Sequence, residues 1–140
     1  MEQLTGKLVA ISPALANDPI FKQGQIGIIA MADLKSGTAN VVFSSGELGR
    51  YSSDALLVLK DKRDLYQDIM TGVREMDGDT FRQLLDINMK QEHADYLHQS
   101  AAMKIALSNP EVLKHSTVSL EEHLSIDLGK DINHDKVFER

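Results

Sequence analysis

The chain has no cysteine, which excludes disulfide frameworks, thiolate metal sites and a cysteine nucleophile together. Tryptophan is missing too, and Phe and Tyr supply only seven aromatic rings between them. Basic charge is scarce: 15 Lys and Arg stand against 21 Asp and Glu, a formal net charge of −6. Nucleic-acid affinity comes largely from neutralised phosphates, so an acidic chain with singly scattered cations is a poor candidate for that partner. Long apolar runs are absent as well. A spanning helix needs about 20 apolar residues, and the stretch from Leu8 to Ala16 is short and broken by Ser12-Pro13. Ala14-Leu15-Ala16 has the small-x-small look of a cleavage site, but Glu2 precedes any basic residue, so a cytoplasmic protein is expected.

What is present is ordinary globular material. The 140 residues are 42% apolar and 26% charged, enough for one domain or two very small ones and unlike a disordered or collagen-like chain. The pattern changes near residue 60. Before it, β-branched runs at Leu8-Val9-Ala10-Ile11, Ile26-Gly27-Ile28-Ile29, Val41-Val42-Phe43 and Leu56-Leu57-Val58-Leu59 alternate with turn-forming Asn17-Asp18-Pro19, Ser36-Gly37 and Ser44-Ser45-Gly46. Five short strands in residues 6–59 are too little sheet for a sandwich, and a small bent barrel is the natural way to bury them.

After Asp61 the spacing is helical. Leu65, Ile69, Val73 and Met76 fall on one stripe, and Asp79 is placed to cap a second helix with Phe81, Leu84 and Leu85 on its apolar face. A third helix runs through Ala94, Leu97, Ala101 and Ile105 and ends at Asn109-Pro110. Ser119-Leu120-Glu121-Glu122 matches a capping box before a short last helix. The expected organisation is α+β: a five-stranded barrel over 1–60, a short helical bundle over 61–126 and a polar, frayed tail over 127–140. Residues 1–60 hold five basic and five acidic side chains, so all of the excess negative charge lies on the helical part.

The stretch Phe21-Lys22-Gln23-Gly24-Gln25-Ile26-Gly27-Ile28-Ile29, with Ala39-Asn40-Val41-Val42-Phe43 and Tyr51-Ser52-Ser53-Asp54-Ala55-Leu56, resembles an SH3-like small barrel of the KOW type. The resemblance covers residues 5–60 and implies a Gly-x-x-Gly segment opening the second strand and a one-turn helical step before the last. It also implies a ribosome- or RNA-associated role, for which Lys7, Lys22, Lys35 and Arg50 would have to converge. The neutrality of this half and the lack of tryptophan depart from the RNA-binding and proline-peptide-binding members.

Among candidate chemistries, Asp95-x-x-His98 puts a carboxylate and an imidazole one helical turn apart, a weak metal pair without a second copy. Glu92-His93 and Glu122-His123 are adjacent pairs that point in different directions on a helix. Ser44-Ser45-Gly46 and Ser52-Ser53-Asp54 lack a nucleophile elbow and suit turns and caps. No phosphate-binding loop is present, and no cofactor is expected. Methionine adapts to irregular apolar surfaces, and a thin bundle must cover its stripes. Arg50, Tyr51, Met70 and Met89 are accordingly the candidate partner contacts, with Tyr51 equally suited to a barrel wall. The leading expectation is a non-catalytic protein-interaction module for a basic partner, with self-association as another way to bury the stripes and no membrane contact. The alternatives are the RNA-associated factor and a small enzyme using a carboxylate and histidine at the junction of the halves.

Overall fold

The structure, a computed structural model, describes residues 4–16, 18, 20, 22–33 and 35–124. The tail expected over 127–140 lies outside the described residues, as do Asn17, Pro19, Phe21 and His134. Six strands make one antiparallel sheet: β1 (Leu8–Ile11), β2 (Ile26–Asp33), β3 (Thr38–Phe43), β4 (Leu48–Ser52), β5 (Leu56–Leu59) and β6 (Thr117–Ser119), in the order β4-β3-β2-β1-β5-β6. Between β5 and β6 come four helices, α1 (Lys62–Gly72), α2 (Gly78–Lys90), α3 (Tyr96–Leu107) and α4 (Pro110–Ser116). Residues 120–124 are helical again.

The α+β class is as expected, but the five-stranded closed barrel is not. The sheet has a sixth strand and stays open, with β4 and β6 as its edges. The reason lies in what covers the central strands. Alternation along β1 and β5 sends Val9, Ile11, Leu56 and Val58 to one face, where they meet Ile29, Val41, Phe43, Tyr51 and Leu120. Ala10, Leu57 and Leu59 go to the other face and meet Leu65, Ile69, Leu84, Ile87, Met103 and Val112 of the helices. The helical layer buries the surface that closure would otherwise have to hide.

Local chemistry explains most boundaries. Gly27 permits close strand approach, since a Cβ there would stand 2.4 Å from Val41 Cγ1. A bulge between Ile29 and Met31 breaks the alternation of β2 and turns Met31 outward. Ser53–Ala55 forms the expected one-turn step, here 3-10, before β5. Asp61 caps α1 by accepting from the Arg63 amide. For α2 the cap is Asp77, not Asp79: its Oδ1 accepts from the Thr80 amide at 2.7 Å. Ser119 Oγ accepts from the Glu122 amide at 3.0 Å, the first half of the expected capping box.

The apolar face of α3 differs from the one read in the sequence. Ser100, Ala102, Met103 and Ala106 are buried, while Leu97 is 76% exposed. Apolar residues surround this helix on nearly every side, so its period does not select a face. The passage from sheet to helices is pinned by three hydrogen bonds: Ser116 O accepts from the Lys60 amide at 2.8 Å, Gln91 Nε2 donates to Lys60 O at 2.6 Å, and Asn88 Nδ2 donates to Lys62 O at 2.8 Å. Lys60 and Lys62 are thus held by α4 and α2.

Candidate functional site

Tyr51, one of the candidate contacts, is a core residue. It is 6% exposed, and its hydroxyl donates to Asp18 Oδ2 at 2.9 Å. The same carboxylate accepts from the amides of Ile20 and Lys22 at 3.1 and 2.9 Å. Burial pushes the Asp18 carboxyl upward, but these three donors and the Lys22 charge outweigh it, and the net position is below the usual value. Burial, followed by the Asp18 hydrogen bond and charge, raises the Tyr51 phenol above its ordinary 10.0. This pair lies within the sheet-side core, with the Tyr51 ring buried and its hydroxyl engaged by Asp18. Arg50, its neighbour, is exposed and donates through Nη2 to Thr38 Oγ1 at 3.1 Å.

The cations of the sheet do not gather on one face. Lys22 pairs with Glu47 at 2.7 Å by the β3–β4 turn and lies over the Phe43 ring. Lys35 and Arg50 flank Asp33 by the β2–β3 turn, at the opposite end of β3. Lys7 precedes β1 and lines a groove against the helices. Lys60 and Lys62 are tied to Asp68 and Glu92. A phosphate track requires a stripe of cations, and these residues do not form one.

Exposed large apolar side chains fall mostly on the helical part. Eight large ones stand out among the described residues, and six belong to the helical layer. Tyr66, Met70 and Val73 follow one another along α1 at spacings of four and three, flanking the buried stripe of Leu65 and Ile69. Val73 was expected inside with Leu65 and Ile69, but the last turn tightens to 3-10 over Val73–Glu75 and leaves it 39% exposed. Met89, 69% exposed, lies near the end of α2, and Tyr96 and Leu97 open α3. Met70 and Met89 are therefore both on the surface. Beside Tyr66 lies a depression of about 730 Å³ whose charged lining includes Asp61, Lys62, Arg63, Asp64 and Glu92.

A second feature sits at the turn between α2 and α3. Asp95 Oδ1 and His98 Nδ1 are 2.6 Å apart, as the one-turn spacing implies. The ring of His93 stacks on that of His98, with centroids 4.1 Å apart and an interplanar angle of 25°. Burial raises the Asp95 carboxyl somewhat, but the hydrogen bond and charge of His98 bring it below the ordinary value. His93, which the sequence pairs only with its neighbour Glu92, joins Asp95 and His98 because proximity here comes from the turn and not from helical spacing. These three side chains are solvated, and Asp95 and His98 do not line the junction groove of about 440 Å³. A carboxylate and histidine pocket facing the sheet is not what this arrangement provides.

Among the described residues no helix is long and apolar enough to cross a membrane. Comparison with family models, with curated proteins and with solved structures gave no match for this chain.

Proposed function

We propose that the protein is a non-catalytic interaction module that receives a protein partner on its helical layer. The observation that carries this reading is the row Tyr66, Met70, Val73 on α1, with Met89, Tyr96 and Leu97 elsewhere on the same layer. Single exposed apolar residues are normal, and it is the neighbouring row of three on α1 that supports a contact surface. The open sheet contributes rigidity, because α3 lies against β1 and β2 and the sheet-to-helix passage is hydrogen-bonded on both sides.

The partner's chemistry follows from the charge. Residues 61–140 carry 16 acidic and 10 basic side chains, and the sheet half is neutral. A segment with apolar anchors and basic flanks complements such a surface and is steered to it in a salt-dependent way. The experiment is capture from nuclease-treated lysate on the immobilised full chain, compared with the double variant Tyr66→Ser/Met70→Glu. The expected result is a protein recovered by the parent chain, weakened by salt and lost with the double variant at unchanged thermal stability. Material that disappears on nuclease treatment, or that the double variant retains, overturns the reading.

A further inference from the structure

We propose that His93, Asp95 and His98 form a site for a divalent transition cation of the zinc class. One ligand atom from each lies within 4.8 Å of the other two. The histidine rings are stacked with centroids 4.1 Å apart, and Asp95 Oδ1 already touches His98 Nδ1. Tetrahedral coordination with bonds of about 2.0–2.2 Å needs donors separated by roughly 3.4 Å. His93 and Asp95 are exposed and His98 is half-buried, so rotation about their χ angles can unstack the two rings and turn their in-plane lone pairs toward a shared ion at that spacing. The Asp95–His98 hydrogen bond is then replaced by shared coordination.

The backbone carrying these donors is fixed from both sides. The His93 amide donates to Lys90 O at 3.1 Å, and Gln99 Nε2 donates back to His93 O at 2.8 Å. Asp95 occupies the N-cap position of α3, and its carbonyl accepts from the Gln99 amide at 3.1 Å. One glutamine thus ties the turn to the first turn of the helix that carries His98. A site on so short a segment needs this support, because a loose turn would lose its ordering entropy on binding.

The donor set selects the class of ion. Two imidazoles and one carboxylate suit zinc, cobalt, nickel or copper, whereas magnesium and calcium require oxygen-rich shells. Three protein ligands leave a fourth position facing solvent, close in sequence to exposed Tyr96 and Leu97. The test is calorimetric titration of the untagged, chelator-treated full chain with Zn²⁺, and a parallel Co²⁺ titration followed by visible absorption. The expected result is one equivalent bound, a tetrahedral Co²⁺ spectrum, and an affinity loss of at least about 10-fold in each of His93→Ala, His98→Ala and Asp95→Asn. His115→Ala and His123→Ala are expected to bind as the parent does. Because the three ligands are on the surface, their variants should keep the parent's circular dichroism. Absence of one-equivalent binding overturns the proposal, and so does binding that persists in His93→Ala and His98→Ala or disappears in His115→Ala or His123→Ala.

Discussion

Two apolar cores lie back to back across β1 and β5, and they are closed by different means. On the sheet side, closure comes from backbone approach. Gly27 lets Val41 come too near for any side chain, and Gly49 leaves room for the Tyr51 ring, whose Cε2 would lie 2.6 Å from a Cβ there. That core also encloses a polar pair, Asp18 and Tyr51, with its acceptor oxygens supplied with donors. On the helical side, closure comes from side chains of four helices, and apolar residues remain on their outer surfaces. Backbone approach permits one arrangement. Side-chain packing tolerates several, which is where a surface can carry apolar residues for another purpose.

The largest expected effects set the two cores against each other. Leu84→Ala and Leu56→Ala remove equally buried side chains from the helical and sheet cores, and each should cost about 2–5 kcal/mol in urea unfolding. If the sheet side has less room to relax, Leu56→Ala costs at least as much as Leu84→Ala. The reverse order, well beyond error, breaks the comparison.

Glycine replacement sharpens it. Gly27→Ala forces Val41 to move and should cost roughly 1–3 kcal/mol. Gly78→Ala, in the first turn of α2 with nothing within 4 Å of the new Cβ, should cost nothing and gain up to about 1 kcal/mol from helix propensity. Equal midpoints for the two variants would remove the distinction between backbone and side-chain closure.

The polar pair gives the next effect, and a pH signature. Tyr51→Phe leaves Asp18 with two backbone donors and should cost about 1–3 kcal/mol near neutrality. The Asp18 carboxyl sits below its ordinary 3.8 in the fold, so its contribution is present above that pH and lost as pH falls through the lower folded value. The Tyr51 phenol sits above its ordinary 10.0, so its contribution is intact below pH 10.0 and declines as pH rises beyond it. Stability measured against pH should therefore lose part of its alkaline decline in Tyr51→Phe. An unchanged alkaline limb would show that the phenol does not titrate as a buried group. The smallest change in stability is expected for Tyr66→Ser/Met70→Glu, within about 0.5 kcal/mol, since neither side chain belongs to either core.

Much of this arrangement is legible in the sequence where one residue type answers one local demand. The β-branched runs place β1 and β5 at Leu8–Ile11 and Leu56–Leu59, and Ser119 is readable as a cap three residues before Glu122. The helix after residue 61 follows from Leu65 and Ile69. What is not legible depends on partners distant in sequence. Thr117-Val118-Ser119 is too short to announce a strand, and only β5 makes it one. Asp77 and Asp79 are equivalent as sequence caps, and the choice depends on where Met76 leaves the preceding turn. The burial of α3 is set by β1 and its helical neighbours and not by its own period. Tyr51 reads equally as contact or wall until Asp18 is found beneath its hydroxyl.

The pairing of β6 with β5 has a consequence for the order of folding. It sets Leu57 against Ser119 and Leu59 against Thr117, closing a loop that contains all four helices. Closure of so long a loop is entropically unfavourable before those helices have collapsed, so β6 is a late event, while the β2–β3 and β3–β4 hairpins form locally and early. During synthesis, residues 1–60 emerge with one edge of β5 still unpaired, an edge open to other chains until Thr117–Ser119 arrives. The pairing of Thr117–Ser119 therefore replaces the long, apolar edge of β5 with a three-residue edge, which offers other chains far less to pair with.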